Sequence, residues 1–319
     1  MSIKIKDLST EPSILVASHN QNAENPLWHA QHQCLYWSDI PQGQLFRYDL
    51  EQDRYEKIYS GKPVGGFTIQ ADGSLLLLKA KGTVEIWREG RMITVISEIP
   101  EARDTRFNDA IADPKGRVFS GTIASDRAAG HLYRIDMDGS YQVVVEDVKL
   151  PNGMAFSADH KHFFLTDSDR RHIYRFDYDV DSGQLSNQHT LITIPEGEGV
   201  PDGLTIDADG YLWSARWEGG GVYRYDPDGT AVMKLKLPTA KVSCVSFGGK
   251  NYERLFISTA GGDGAQNQPA DSQPTNEATN SEDAAGNLFH FCAGVNGRPE
   301  FFSRVQLNTF LSGPEIGRL

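Results

Sequence analysis

The sequence predicts an all-β protein with the architecture of a six-bladed β-propeller. Two strand-like segments and a third, alternating segment recur together six times along the 319 residues, at steps of 40 to 49 residues. No apolar pattern with the helical period extends over a useful length. Repeats of about 40–50 residues with several strands each are typical of propeller blades, which usually contain four strands.

The first two segments of each repeat are short, mostly apolar triplets. The first triplets are Leu27-Trp28-His29, Phe67-Thr68-Ile69, Ala110-Ile111-Ala112, Met154-Ala155-Phe156, Leu204-Thr205-Ile206 and Val245-Ser246-Phe247. The second triplets begin 8 to 10 residues later, at Leu35, Leu75, Val118, Phe163, Leu212 and Leu255. Turn formers such as Asp72-Gly73 and Asp209-Gly210 lie between them and permit the positive φ of tight hairpins. Each pair of triplets is therefore predicted to be a β-hairpin.

A third element of alternating apolar and polar residues follows each hairpin. Its six copies are LFRYD (45–49), VEIWR (84–88), LYRID (132–136), IYRFD (173–177), VYRYD (222–226) and LFHFC (288–292). This alternation is typical of half-buried strands. Six such units predict a single propeller domain over residues 1–319. In the last unit the polar stretch 261–286 separates the second and third elements, and its composition predicts a surface loop, either inert or a lid.

Composition and charge exclude several classes of protein. The 43 acidic and 31 basic residues give a net charge of −12, which argues against nucleic-acid binding and against docking on anionic membranes. No apolar run approaches the roughly 20 residues of a membrane span, and residues 1–13 lack the apolar core of a signal peptide. The three cysteines form no paired motif, so we expect reduced, mostly buried thiols in a cytoplasmic protein.

The innermost strand of each blade lines the channel, so equivalent positions of the repeats should converge on its axis. The position two residues before each first triplet holds, in order, Asn25, Gly65, Asn108, Asn152, Asp202 and Ser243, and Glu24 precedes Asn25. Glu24, Asn152 and Asp202 would supply three oxygen ligands and a charge of −2, which suits a hard divalent cation. The alternative is that the Asn-Gly and Asp-Gly pairs are simply turns between blades.

Four separated motifs resemble a known family. The segments RFNDAIADPKGRVFSGT, LPNGMAFSADHKHFFLTDS, VPDGLTIDADGYLWSA and FGGKNY are similar to the SMP-30/gluconolactonase/luciferin-regenerating-enzyme family, also called regucalcin-like. The resemblance runs from about Glu24 to Tyr252, and more loosely to about Phe302. It implies a six-bladed propeller and a lactonase activity that depends on a divalent metal, with Glu24, Asn152 and Asp202 as the metal ligands.

The resemblance also implies residues that bind the substrate. Arg106 matches a substrate-binding arginine, and Asn108 matches a channel asparagine that lies near the metal and contacts substrate. Asp126 falls where the family places an acidic substrate-binding residue, although some relatives have the longer Glu. Asn25 is a departure, because the family usually has Gly in an E-G-P segment. Its side chain is expected to affect the reach of Glu24 and the rim of the pocket.

Hydrolysis of a lactone requires a polarised carbonyl, a delivered water and a stabilised oxyanion. Asp202 is predicted to be the general base, because its second carboxylate oxygen stays free to take a proton; a hydroxide on the metal is the alternative nucleophile. Arg106 could orient the substrate and add positive charge near the oxyanion, or it could pair with Asp104 or Asp109.

These inferences predict an enzyme that binds one divalent cation and hydrolyses a sugar lactone. Oxygen ligands favour calcium, with magnesium, manganese or zinc as alternatives. Two other interpretations remain open at this point. One is a phosphotriester (organophosphate) hydrolase that uses the same site. The other is a propeller that binds calcium or partners without catalysis.

Overall fold

The structure, a computed structural model, describes residues 6–7, 11–262 and 284–307. These residues form six β-sheets, each with four strands in consecutive antiparallel pairing, and one sheet carries an additional edge strand. The six-bladed propeller predicted from the repeats is therefore confirmed. Within these ranges no helix has the length and apolar character needed to cross a membrane.

The strands are numbered in chain order, and blades 1 to 5 run from the channel outward. Two short strands precede blade 1, namely β1 (Lys6–Asp7) and β2 (Ser13–Val16). Blade 1 contains β3 (Ala23–His29), β4 (Cys34–Asp39), β5 (Gln44–Asp49) and β6 (Arg54–Ser60). Blade 2 contains β7 (Val64–Ile69), β8 (Leu75–Lys79), β9 (Val84–Arg88) and β10 (Arg91–Ile96), followed by the 3-10 turn Pro100–Ala102.

The remaining blades follow the same order. Blade 3 contains β11 (Phe107–Ala112), β12 (Val118–Thr122), β13 (Leu132–Ile135) and β14 (Tyr141–Val145). Blade 4 contains β15 (Pro151–Phe156), β16 (His162–Asp167), β17 (His172–Tyr178) and β18 (Leu185–Thr193). Blade 5 contains β19 (Val200–Ile206), β20 (Leu212–Trp217), β21 (Gly221–Tyr225) and β22 (Ala231–Lys236). Blade 6 contains β23 (Val242–Gly248), β24 (Arg254–Thr259) and β25 (Leu288–Cys292).

The start of the chain completes the last blade. Strand β2 pairs antiparallel with β25, where Ile14 lies opposite Phe289, and so supplies the fourth strand of blade 6. Because the two strands are far apart in the sequence, their pairing fastens the two ends of the ring together. Strand β1 extends blade 5 as a parallel edge strand beside β22.

The hydrophobic core lies between neighbouring blades. For example, Leu76 and Ile86 of blade 2 belong to one buried cluster with Phe107 and Tyr133 of blade 3. The innermost strands contact one another in sequence around the ring, and β23 of blade 6 contacts β3 of blade 1. This arrangement places the same position of every inner strand around one axis.

The segment that follows β25 crosses the end of the channel at which the inner strands finish. The amide of Gly297 donates to Tyr252 O at 2.8 Å, that of Ser303 to Ile69 O at 2.9 Å, and that of Arg304 to Gly116 O at 2.8 Å. The segment thus passes from blade 6 to blade 3. Most of the predicted insertion, residues 263–283, lies outside the described residues, as do residues 308–319.

The three cysteines have free thiols. Cys34 and Cys244 are buried, whereas Cys292 is exposed at the end of β25. The prediction of unpaired, mostly buried thiols is confirmed.

Candidate active site

Each inner strand contains a β-bulge at the position predicted to face the channel. The pairing with the second strand slips between Glu24 and Leu27, Val64 and Gly66, Asn108 and Ala110, Pro151 and Met154, Pro201 and Leu204, and Val242 and Cys244. In every case the inner strand holds one residue more than its partner. Bulges of this kind bend a strand and redirect its side chains. The bulge therefore recurs at the same place in all six inner strands.

The two glycines that follow predicted ligands allow neighbouring blades to approach closely. Gly153 and Gly203 lie inside strands β15 and β19, so the Asn-Gly and Asp-Gly pairs are not turns. A Cβ atom on Gly153 would lie 2.0 Å from the backbone nitrogen of Leu204, and one on Gly203 would lie 2.5 Å from Cys244 Cα. The interpretation of these pairs as turns between blades is therefore wrong.

Glu24 and Asp202 are two carboxyls that interact electrostatically at the mouth of the channel. Burial raises the pKa of both groups well above the ordinary value, and the charge of Asp202 raises the pKa of Glu24 further. Asp202 is only 5% exposed, and its buried Oδ1 has no hydrogen-bond partner. An unpartnered buried carboxylate oxygen is costly unless a ligand satisfies it.

A directed chain of hydrogen bonds joins blades 3, 4 and 5 beside these carboxyls. Arg106 Nη1 donates to Asn108 Oδ1 at 2.8 Å, and Asn108 Nδ2 donates to Asn152 Oδ1 at 2.8 Å. Asn152 Nδ2 donates to Ser168 Oγ at 2.8 Å, and Ser168 Oγ donates to Pro201 O at 2.6 Å. Since a guanidinium only donates and a carbonyl only accepts, the two ends fix the direction of every bond between them.

The hydrogen bonds of this series hold Arg106 in place, and an acidic neighbour does not. Its Nη1 also donates to Phe107 O at 2.9 Å, so the alternative pairing with Asp104 or Asp109 is not what the structure has. Burial lowers the pKa of Arg106, and the charge of Glu24 partly offsets that effect.

At two of the six channel positions, Gly65 and Ser243, no polar side chain is available to a cation, for steric or hydrogen-bonding reasons. A Cβ atom on Gly65 would lie 1.8 Å from Phe107 O and 3.1 Å from Arg106 Nη1. The absence of a side chain at Gly65 of blade 2 therefore leaves room for Phe107 O and for the Arg106 side chain of blade 3. Ser243 of blade 6 is fully buried, and its Oγ donates to Ala23 O at 2.5 Å.

Asp109 is a channel residue for which the sequence suggested only a pairing with Arg106. It follows Asn108 in the bulge of β11, where it adopts a φ of 56°. Its Oδ1 accepts from the Ala110 amide at 2.7 Å and from Asn25 Nδ2 at 3.2 Å. Burial raises the pKa of Asp109 to about 6. The sequence carries no signal for it, because the bulge in which it lies depends on the pairing of β11 with β12.

Asn25, where the resemblance predicts glycine, has a backbone conformation that glycine favours. Its φ of 55° lies in the left-handed region, which glycine adopts freely and asparagine tolerates better than most residues. Its side chain is buried and reaches neighbouring blades, because Oδ1 accepts from the Phe67 amide at 2.8 Å. Its own amide donates to Glu24 Oε2 at 3.3 Å, so Asn25 contacts the predicted ligand through the backbone.

Asp126 lies apart from this hydrogen-bonded group, on the exposed loop between β12 and β13. The start of that loop is anchored at the mouth of the channel, where the Ile123 amide donates to Arg106 O at 3.2 Å. The structure thus brings the loop, but not the Asp126 carboxylate itself, to the buried residues.

The donor set suits a hard divalent cation. Glu24, Asn152 and Asp202 offer oxygen atoms alone, which calcium, magnesium and manganese prefer. The unpartnered Asp202 Oδ1 and the raised pKa of both carboxyls indicate a missing positive charge. The set contains only two acidic residues. Among the described residues, no three or more His, Cys, Asp or Glu side chains are grouped as a metal site.

A cavity of about 40 Å³ lies on the axis near this group. Its walls include Asn25, Asp109, Cys244, Glu300 and Phe302. Burial, together with the charge of Asp109, raises the pKa of Glu300 to about 7. Carboxyls therefore extend along the axis from the mouth towards the C-terminal segment.

Comparisons with known proteins agree with this architecture. The family model described as SMP-30/Gluconolactonase/LRE-like region matches residues 22–261. Pentonolactonase XacC from Haloferax volcanii is 43% identical over 286 residues, which are 89% of this chain and 95% of the relative. Regucalcin from Homo sapiens is 32% identical over 246 residues, 74% of this chain and 82% of the relative. A solved luciferin-regenerating enzyme has a TM-score of 0.81 and 26% identity, over 92% of this chain and 99% of that one.

Proposed function

The chain belongs to the SMP-30/gluconolactonase/LRE-like family and is a hydrolase of the lactonase type, and we propose that it opens a sugar lactone at the mouth of its channel with the help of one divalent cation. The observation that carries this proposal is the pair formed by the partly buried Glu24 and the buried Asp202 beside Asn152. Asp202 Oδ1 lacks any hydrogen-bond partner there. The charge of Arg106 lowers the pKa of Glu24 less than burial and the charge of Asp202 raise it. The two carboxyls therefore lack a full counter-charge, which is unfavourable for stability, and ligand binding explains the arrangement better.

Glu24, Asn152 and Asp202 would hold the cation, and calcium suits their oxygen atoms best. When bound, such an ion polarises the lactone carbonyl and offsets the negative charge that develops on its oxygen. Asn152 presents Oδ1 rather than Nδ2 to the site, because Nδ2 is committed to Ser168 Oγ at 2.8 Å. The orientation of this amide is therefore preset for an oxygen ligand.

Asp202 is the proposed general base. With one carboxylate oxygen on the cation, the other oxygen can accept a proton from water as the water oxygen attacks the carbonyl carbon. The ring C–O bond then breaks, and the leaving oxygen takes the proton back from Asp202, which yields the hydroxy acid. Beside a cation the Asp202 carboxyl is ionised despite its burial, as proton abstraction requires.

Arg106 and Asn108 are the proposed substrate-binding residues. Only Nη1 of Arg106 takes part in the hydrogen bonds described above, which leaves Nε and Nη2 to contact the hydroxyls or the oxyanion. Both N–H groups of Asn108 Nδ2 are engaged, by Asn152 Oδ1 and by Pro151 O. Asn108 would therefore contact the substrate through the remaining lone pair of Oδ1. Asp126 remains a proposed rim residue, on the loop anchored at Arg106.

A substrate panel tests this function. Hydrolysis of five- and six-carbon aldonolactones and of a phosphotriester would be followed with a pH indicator, after removal of metal and after return of calcium, magnesium, manganese or zinc in turn. We expect aldonolactone hydrolysis that is lost without metal and restored by one of these ions. Selective phosphotriester hydrolysis, or cation binding without any hydrolysis, would favour one of the two other interpretations and overturn this one.

We also propose a cytoplasmic location. The proposal depends on the three free thiols, which a reducing compartment would preserve.

A further inference from the structure

The carbonyl group of the residue before each proposed ligand accepts a hydrogen bond from a side chain. In all three cases the donor is a side chain of the preceding blade. The pairs are Asn108 Nδ2 to Pro151 O at 2.8 Å, Ser168 Oγ to Pro201 O at 2.6 Å, and Ser243 Oγ to Ala23 O at 2.5 Å. The residues that follow these carbonyls are Asn152, Asp202 and Glu24.

We propose that Ser168 and Ser243 are positioning residues, whose hydroxyl groups fix the backbone beside the two acidic ligands. The inference rests on the proposed function, because Asp202 and Glu24 have to be ligands for their placement to matter. Neither serine touches the substrate in this proposal. Each acts by limiting where the carboxylate that follows the bonded carbonyl can lie.

Ser168 acts on two ligands at once. Its hydroxyl donates to Pro201 O, so the same oxygen must accept the bond from Asn152 Nδ2 at 2.8 Å. This fixes the amide of Asn152 in the orientation that turns Oδ1 away from Ser168. Ser168 is 1% exposed, so water has little access with which to replace either bond.

The directions of the hydrogen bonds of Ser243, at the junction of blades 6 and 1, are fixed in the same way. Because its hydroxyl donates to Ala23 O, it must accept from Ser258 Oγ, which lies 2.8 Å away. Ala23 directly precedes Glu24. A second hydroxyl, Ser38 Oγ, donates to the carbonyl of Glu24 itself at 3.3 Å. The backbone on both sides of the Glu24 Cα is therefore held.

A purely structural role makes a different prediction. Bulges leave backbone groups unpaired, and the two hydroxyls could serve only to satisfy them. In that case their removal would weaken folding but leave the metal affinity of the folded protein unchanged. Ser18 offers the matched comparison, because its buried hydroxyl also donates to a carbonyl, Gly286 O, at 3.0 Å, and it belongs to none of the residues assigned to the site.

The test compares Ser168→Ala, Ser243→Ala and Ser18→Ala in the full chain. Thermal unfolding is measured in a chelator, and binding of Ca²⁺ alone is measured by titration calorimetry on the folded, metal-free proteins. We expect all three variants to unfold at lower temperature. We expect only the first two to bind Ca²⁺ about 10-fold or more weakly, as is usual when a partner of a metal ligand is lost. Ser168→Thr and Ser243→Thr retain the hydroxyl and should recover most of the affinity.

Equal Ca²⁺ affinity in the three alanine variants would overturn the positioning role while leaving the proposed function intact. A wild-type protein that binds none of Ca²⁺, Mg²⁺ and Mn²⁺ would overturn the proposed cation and this inference together. If one alanine variant fails to fold, the other one and the threonine variants decide the question by the same comparison.

Discussion

Asn25 Nδ2 donates to Asp109 Oδ1 across 3.2 Å, which links the blade 1 residue beside a proposed ligand to a buried carboxyl of blade 3. Both residues have a positive φ, 55° and 56°. The two residues thus lie in the bulges of β3 and β11. Asn25 Oδ1 also accepts a hydrogen bond from the Phe67 amide of blade 2. One side chain therefore connects three blades at the mouth of the channel.

Replacement of Asn25 should separate backbone strain from hydrogen bonding. Asn25→Gly keeps the left-handed conformation but loses both side-chain bonds, so we expect the free energy of unfolding to fall by about 1–2 kcal/mol. Asn25→Ala adds the strain of a positive φ and should cost about 1 kcal/mol more. Urea denaturation in a chelator measures both values. Equal stability of the glycine and alanine variants would contradict the conformational argument.

Gly153 and Gly203 should tolerate no side chain. A Cβ atom at either position would lie within 2.5 Å of backbone or side-chain atoms of the next blade, so we expect Gly153→Ala and Gly203→Ala to destabilise the protein by about 3 kcal/mol or more. Gly73→Ala is the control, since no atom lies within 4 Å of its Cβ position and its φ is 81°. It should cost only about 1 kcal/mol. Similar losses in all three, measured by denaturant unfolding, would refute the close approach.

Arg106 should be sensitive to a change that preserves its charge. Arg106 binds Phe107 O and Asn108 Oδ1 through Nη1 alone. Lysine has no second or third nitrogen in the place of Nε and Nη2, the donors proposed to contact the substrate. We expect Arg106→Lys to lower kcat/KM for an aldonolactone about 10- to 100-fold without loss of the fold. Arg127→Lys, in the exposed part of the neighbouring loop, is the control and should change little. Unchanged kinetics in Arg106→Lys would remove the arginine from the proposed substrate site.

Glu300 should make the metal-free protein more stable at low pH than at neutral pH. Its pKa in the folded protein is raised to about 7 from an ordinary 4.5, so the folded state holds its proton more tightly than the unfolded chain does. The stabilisation is complete below about pH 4.5 and is lost as the pH rises through 7. We expect a contribution on the order of 3 kcal/mol from this group.

Glu300→Gln provides the comparison, because it cannot ionise. Its free energy of unfolding, measured by urea titration in a chelator from pH 5 to pH 8, should decline less than that of the wild type. The pKa of Asp109, raised to about 6 by burial, should leave part of the slope in place. Identical slopes in the two proteins would show that Glu300 does not titrate in this range.

The sequence predicted the strands that line and support the channel because those strands are the most apolar. Every predicted triplet lies in an inner or second strand, and the alternating segments lie in the third. The fourth strands were not predicted because their side chains are largely exposed, as are those of β18. The pairing of Ile14 with Phe289 was also missed, since no local pattern records a contact between the two ends of a chain.

The site was predicted in part for the same physical reason. Asn152 and Asp202 occupy equivalent repeat positions, and Glu24 lies directly before the equivalent position of blade 1, so the symmetry of the repeats predicted that they lie near one another. Ser168 lies after β16, outside those positions, and its hydrogen bonds depend on the folded ring. The bulges, which redirect the side chains and left Asp109 unrecognised, depend on register and not on composition.

The most direct test of the account is the loss of one charge at Asp202. Asp202→Asn keeps the size of the side chain, and Asp228→Asn changes an exposed carboxylate of the same blade as a control. We expect calorimetry to show no detectable Ca²⁺ binding and the pH-indicator assay to show no aldonolactone hydrolysis in Asp202→Asn, with both retained in Asp228→Asn and both variants folded. Wild-type cation affinity and wild-type turnover in Asp202→Asn would contradict the account.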